Sequence, residues 1–146
     1  MNKIFAFLFL ICIAISSCTT SKSVVSKNTD LSKYEYAFND TYQIPTKLIE
    51  YEIQLYDAVE SSRLEFISER QINELTPQQQ SKLLLVKYGI SQKINEVIVT
   101  VNFIDYMTGR PVASCRGAFG LGLDYSGDLK GAIKRVAKQI AETFPK

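Results

Sequence analysis

The 146-residue chain contains no histidine and no tryptophan, and only three cysteines, four prolines and seven glycines. Without histidine it lacks the side chain most used as a general base and as a metal ligand near neutral pH. This weighs against imidazole-activated nucleophiles and against zinc-type sites. Neither sign of charge is in excess. Seventeen basic and 15 acidic residues leave a net charge of +2, which excludes a strongly basic nucleic-acid binder. No apolar run reaches the roughly 20 residues of a membrane-spanning helix, so a polytopic membrane protein is excluded as well.

What is present begins at the amino terminus. Lys3 supplies a positive charge, Ile4 to Ile15 are unbroken apolar residues, and Ser16 and Ser17 precede Cys18. This is the layout of a secretory signal peptide. As a helix the apolar run measures about 18 Å at 1.5 Å per residue, too short for a hydrocarbon core of roughly 30 Å. Cleavage is therefore expected, and Cys12 leaves with the signal. Ile15-Ser16-Ser17-Cys18 resembles the lipobox of bacterial lipoproteins, which implies cleavage between Ser17 and Cys18 and acylation of Cys18 by diacylglycerol and palmitate-type chains. The partner implied is then a lipid bilayer, held by acylated Cys18. The competing reading is an ordinary signal sequence followed by an incidental cysteine.

The sequence thus divides into a signal peptide over 1–17, a lipidated cysteine and flexible tether over 18–30, and a single α/β domain over 31–146. From Thr19 to Asp30 only Val24 and Val25 are apolar, too little burial to offset the ordering entropy of the chain. Thr19, not an aspartate, follows Cys18. By the sorting rules of Gram-negative lipoproteins, which this segment resembles, the location implied is the outer membrane, facing the periplasm.

Periodicity sets the expected elements of the domain. Tyr34 to Phe38 alternate like a strand. Pro45 and Thr46 mark a helix entry, and Leu48, Tyr51, Leu55, Ala58 or Val59, Ser62 and Phe66 recur at helical spacing. A helix over Lys47–Ser68 is preferred to the shorter alternation Ile49, Tyr51, Ile53, Leu55 because of its length. Gln71–Leu75 reads as a short strand, Thr76–Gln80 as a turn, and Lys82–Ile90 as a buried strand followed by a turn at Ser91–Lys93. Val97, Val99, Val101 and Phe103 share one strand face, Asp105–Arg110 form a hairpin loop, and Val112–Phe119 return. Ser126 or Asp128 caps a closing helix with Leu129, Ile133, Val136, Ile140 and Phe144 on one side. The expected fold is α+β, a two-layer sandwich with a mostly antiparallel sheet of four to five strands and two helices on one face.

The hairpin Val101–Ser114, the start Leu31-Ser32-Lys33-Tyr34-Glu35-Tyr36, Val86-Lys87-Tyr88-Gly89 and the amphipathic closing helix together resemble uncharacterised envelope lipoproteins. These families are related in fold to the amino-terminal domain of TolB and to LpoB- and CsgG-type lipoproteins. The resemblance implies a fold and an envelope setting. It transfers no functional residue other than Cys18.

Candidate chemistry is sparse. Cys115 reads as a buried core thiol, with an intermolecular disulfide as the functional rival. Gly117, Gly120 and Gly122 lie before a helix start, yet their spacing is not a dinucleotide fingerprint and no P-loop lysine follows, so a connecting loop is the simpler reading. Lys47–Leu75 is acidic and the chain from Thr76 onward is basic, which suits two solvated faces. The rival is a dipolar docking surface or contact of Lys130, Lys134 and Lys138 with anionic lipid. No catalytic, cofactor or metal residue is expected, and no small-molecule substrate or nucleic acid. The function expected is a non-catalytic accessory domain that binds another envelope protein. The alternative is a self-associating outer-membrane lipoprotein assembly, with an enzyme ranked below both.

Overall fold

The alternation of apolar side chains from Val97 to Phe103 gives a strand whose apolar face must be covered, and the molecule is organised around it. The structure, a computed structural model, describes residues 21–39, 49–121 and 124–146. Its elements are β1 (Lys22–Val25), β2 (Tyr36–Asn39), α1 (Ile49–Glu60), β3 (Glu65–Phe66), α2 (Glu69–Ile72), α3 (Pro77–Gln80), β4 (Leu83–Lys93), β5 (Glu96–Asp105), β6 (Pro111–Phe119) and α4 (Tyr125–Thr143). A 3-10 turn at Leu31–Lys33 precedes β2, with Asp30 accepting a hydrogen bond from the Ser32 backbone N–H. Ser17, Cys18, the helix entry at Pro45 and Thr46, and Gly122 lie outside the described residues.

The strands form one six-stranded sheet in the order β1-β6-β5-β4-β2-β3. β4, β5, β6 and β1 are antiparallel neighbours, whereas β2 runs parallel to both β4 and β3. The α+β class agrees with expectation. The sheet is larger than the four to five strands expected, it is mixed, and the described residues hold four helices where two are expected, with Ile72 of α2 packing on the other face. Both extra strands are short edges without an alternation that sequence reading detects. Lys22–Val25 fall within the segment expected to be tether, yet they pair with β6, matching Lys22 to Arg116 and Val25 to Ala113. β3 is only two residues long and pairs with Tyr36 and Ala37.

Val97, Val99, Val101 and Phe103 of β5 share one core with Leu84 and Val86 of β4, Leu55 and Val59 of α1, and Leu129, Val136 and Ile140 of α4. Helix α4 lies across β5 and β6 and against α1. The Phe103 and Phe144 rings meet with centroids 4.6 Å apart, which anchors the end of α4. A Cβ added at Gly117 would lie 2.2 Å from the Ala132 carbonyl oxygen, so glycine lets the helix sit on the strand. On the opposite face a smaller cluster joins Ile67, Ile72 and Leu83 with Tyr36, Phe38 and Leu75.

Several local expectations are corrected. The helix expected over Lys47–Ser68 stops at Glu60. Ser61 and Ser62 donate their hydroxyls to the carbonyls of Ala58 and Val59, at 2.8 and 2.5 Å, and Ser62 Oγ accepts from the Leu64 N–H. These serines end the helix, and the chain turns into β3. Gln71–Leu75 are not a strand. Ser68 and Gln71 form a capping box that starts α2. Thr76 and Gln79 do the same for α3 within the expected turn. β4 continues through Ser91–Lys93, leaving the reversal to Ile94 and Asn95. The cap of α4 is Asp124, whose carboxylate accepts from the Gly127 N–H at 2.6 Å, while Asp128 accepts from the Leu121 N–H.

Candidate functional site

Strand alternation places Lys87, Asn102, Ile104, Ser114 and Val24 on the sheet face opposite the two long helices. Between them lies a shallow groove of about 350 Å³, floored by the directly paired Asn102 and Ser114 and bounded by Val24, Ile104 and Pro111. Ser114 donates its hydroxyl to Asn102 Oδ1 at 2.8 Å. Val24 is more than half exposed and Lys87 is exposed, so one rim is apolar and the other cationic. A slot of this kind offers apolar contact and a few hydrogen bonds, and it lacks the converging acid and base that bond cleavage needs.

At one end of the groove the β5–β6 loop is built around Asp105. Its side chain accepts from the Thr108 backbone N–H and hydroxyl, at 2.9 and 3.0 Å, and Gly109 takes the left-handed conformation with φ 68°. Asp105 also accepts from Tyr34 Oη at 2.8 Å and pairs with Lys33 Nζ at 3.2 Å. Burial pushes the Asp105 carboxyl up, but the bonds from Tyr34, Thr108 and Lys33 outweigh it and hold the pKa at about 2. Burial and the neighbouring carboxylate raise the Tyr34 phenol. Arg63 donates to the carbonyls of Leu31 and Tyr34 and lies over the Phe144 ring. This network fastens the chain before β2 to the sheet. All its members are satisfied by one another, which marks a structural junction.

A second polar group lies on the helix side. Buried Asn39 donates to Glu52 and to Tyr56 Oη, at 3.4 and 3.3 Å. Nearby, Tyr88 Oη is buried with no hydrogen-bond partner among the described residues, and burial raises its pKa strongly.

The sequence-derived candidates are distributed as follows. Cys115 is fully buried in the core beneath α4, its Sγ 3.5 Å from Thr143 Oγ1, and burial pushes the thiol pKa up. A thiol so placed is a packing residue. Gly117 serves close packing, and Gly120 lies against Asn95 of the β4–β5 turn. Neither forms a phosphate cradle. The acidic and basic segments meet where Lys130 approaches Glu50 at 3.8 Å, while Lys138 approaches Glu142 at 3.8 Å within α4 itself. Both pairs are solvated and contribute little. The groove itself was missed by sequence reading, because its residues come from four strands.

Among the described residues no helix is long and apolar enough to cross a membrane. No protein-family model matches the chain, and no curated protein does. Similar solved structures exist. A PDZ domain protein from Parabacteroides distasonis is similar with a TM-score of 0.56 at 11% identity, covering 88% of this chain and 36% of that one. A PelC dodecamer from Paraburkholderia phytofirmans has a TM-score of 0.48 at 14% identity, covering 87% and 98%. Lipoprotein GNA1162 from Neisseria meningitidis has a TM-score of 0.29 at 15% identity, covering 75% and 99%. The first likeness shows the fold alone, and no family is identified.

Proposed function

We propose that this protein is a lipid-anchored envelope lipoprotein whose domain acts as a non-catalytic accessory or interaction module, held at the outer membrane and facing the periplasm. The observation that carries the reading is the apolar run Ile4 to Ile15 ending at Ser16-Ser17-Cys18. Diacylglycerol and palmitate-type chains on Cys18, each buried CH₂ contributing about 0.8 kcal/mol, fix a domain at a bilayer durably. The groove beside Asn102 and Ser114 then offers a surface for another envelope protein.

Labelling cells with a fatty-acid analogue tests the anchor. The wild-type chain takes up label and the Cys18→Ala chain does not. A Cys18→Ala protein that is still cleaved and labelled sinks the reading. A photo-crosslinking side chain at Ile104 is expected to capture an envelope protein in intact cells, and one at Glu60, on the helical side, is not. Recovery of nothing from Ile104 counts against an accessory role for the groove.

The second reading is a self-associating lipoprotein assembly. It is favoured by β1, an edge strand with exposed Val24 and Val25 that pairs on one side only.

A further inference from the structure

Three separate segments bring apolar side chains to one end of the sheet. Ile94, at the tip of the β4–β5 turn, is 100% exposed, Leu121 after β6 is 68% exposed, and Tyr125 at the start of α4 is 40% exposed. Ile94 and Tyr125 border one cleft of about 130 Å³ together with Asp128. Asp128 in turn accepts the Leu121 N–H at 2.8 Å. None of the three side chains contributes to the core, and exposed apolar side chains gathered in this way mark a contact with something apolar.

The beginning of the described chain lies at the same end. Ser21 Oγ accepts from the Ala118 N–H at 3.3 Å, and Ala118 pairs with Ile98, two residues into β5 from the turn that presents Ile94. Only three residue steps, through Thr19 and Thr20, lead from Ser21 back to Cys18. At no more than about 3.6 Å per residue they span at most roughly 11 Å. A lipidated Cys18 therefore cannot stand far from Ile94, Leu121 and Tyr125. The pairing of β1 with β6 removes the long leash that composition alone implies for 18–30.

We infer that this end of the domain, bearing Ile94, Leu121 and Tyr125, rests in the surface of the lipid bilayer that holds the Cys18 acyl chains, with the strands standing away from the membrane. The inference builds on the lipoprotein reading. Charge makes only a small contribution. Lys93 and Arg116 pair with Glu96, Lys130 approaches Glu50, Lys22 is exposed, and Asp124 is exposed beside Tyr125. The cations at this end are offset by nearby acids, so insertion is driven by the apolar side chains and proceeds on a neutral bilayer. The opposite end, with exposed Tyr106 and Met107, lies the length of the ten-residue β5 away, about 33 Å, and faces the periplasm.

The absence of tryptophan makes the test clean. The Ile94→Trp, Leu121→Trp and Met107→Trp chains, altered at exposed positions, are purified from membranes in their processed form and placed in phosphatidylcholine vesicles with brominated acyl chains. The mass of the N-terminal peptide first reports whether Cys18 is acylated. For acylated protein, quenching is expected to be at least about twofold stronger for Ile94→Trp and Leu121→Trp than for Met107→Trp, as insertion to roughly 5–10 Å requires. Equal or weaker quenching at positions 94 and 121 overturns the orientation and leaves the lipoprotein reading intact. Quenching that appears only when anionic lipid is added also overturns it, in favour of contact through Lys130, Lys134 and Lys138. An unacylated Cys18 overturns both readings.

Discussion

Asp105 is the residue on which most of the polar structure converges. It accepts hydrogen bonds from Tyr34, Lys33 and Thr108 while being only 6% exposed. Asp105→Ala leaves the Tyr34 hydroxyl and the loop amide unpaired, and a loss of about 1–3 kcal/mol is expected in urea denaturation. The same network predicts a pH dependence. The folded pKa of about 2 is below the ordinary value of 3.8, so the stabilisation is complete above about pH 4 and is lost as the pH falls toward 2. Denaturation midpoints of the wild type measured between pH 6 and 2.5 are expected to decline, with a shallower acid limb in Asp105→Asn. Gly117 makes a steric demand. With a Cβ aimed at the Ala132 carbonyl, Gly117→Ala is expected to lower stability by about 1–3 kcal/mol, read from thermal melts.

Among the elements, α4 was the most legible, because its apolar residues recur over five turns. Its start was misjudged by two to four residues: Asp124, not Ser126 or Asp128, supplies the cap. Asp124→Ala is expected to cost about 1 kcal/mol, whereas Ser126→Ala leaves stability nearly unchanged in the same denaturation assay. β1 lies at the other extreme. Lys-Ser-Val-Val has no burial pattern, and all four residues are exposed. What makes it a strand is the free edge of β6. Held by one neighbour, it opens more readily than the interior of the sheet, so its amides are expected to exchange with solvent well before those of β5. Equal protection of β1 and β5 would show that something else covers this edge. The same edge logic explains β3, where the serines ending α1 deliver Glu65 and Phe66 alongside β2.

At the scale of the whole molecule, the two long helices leave one sheet face covered only over β2 and the start of β4, by Ile67, Ile72 and Leu75, and the strands give the domain two distinct ends. One end receives the start of the described chain at Ser21 and exposes Ile94, Leu121 and Tyr125, and the other is closed by the Asp105 loop. The accessory reading predicts that the detergent-solubilised protein elutes as a monomer in gel filtration at all concentrations. A mass that rises with concentration, and falls when Val24→Lys is introduced at the β1 edge, supports the assembly reading instead.

The sequence by itself determined the α+β class, the central hairpin and the closing helix, and it carries the expectation of a signal and of a lipidated cysteine. Each of these is written in local order: an unbroken apolar run, a period of two at Val97–Phe103, a period near 3.6 at Leu129–Phe144. Tertiary structure alone decided the edge strands, the parallel placement of β2, the groove and the apolar end. Val24, Lys87, Asn102 and Ser114 become neighbours only through sheet register, and Ile94, Leu121 and Tyr125 only because a turn, a strand end and a helix start coincide. Hydrophobic periodicity reports which face of an element is buried. Which elements meet is settled by the competition of all faces for one core.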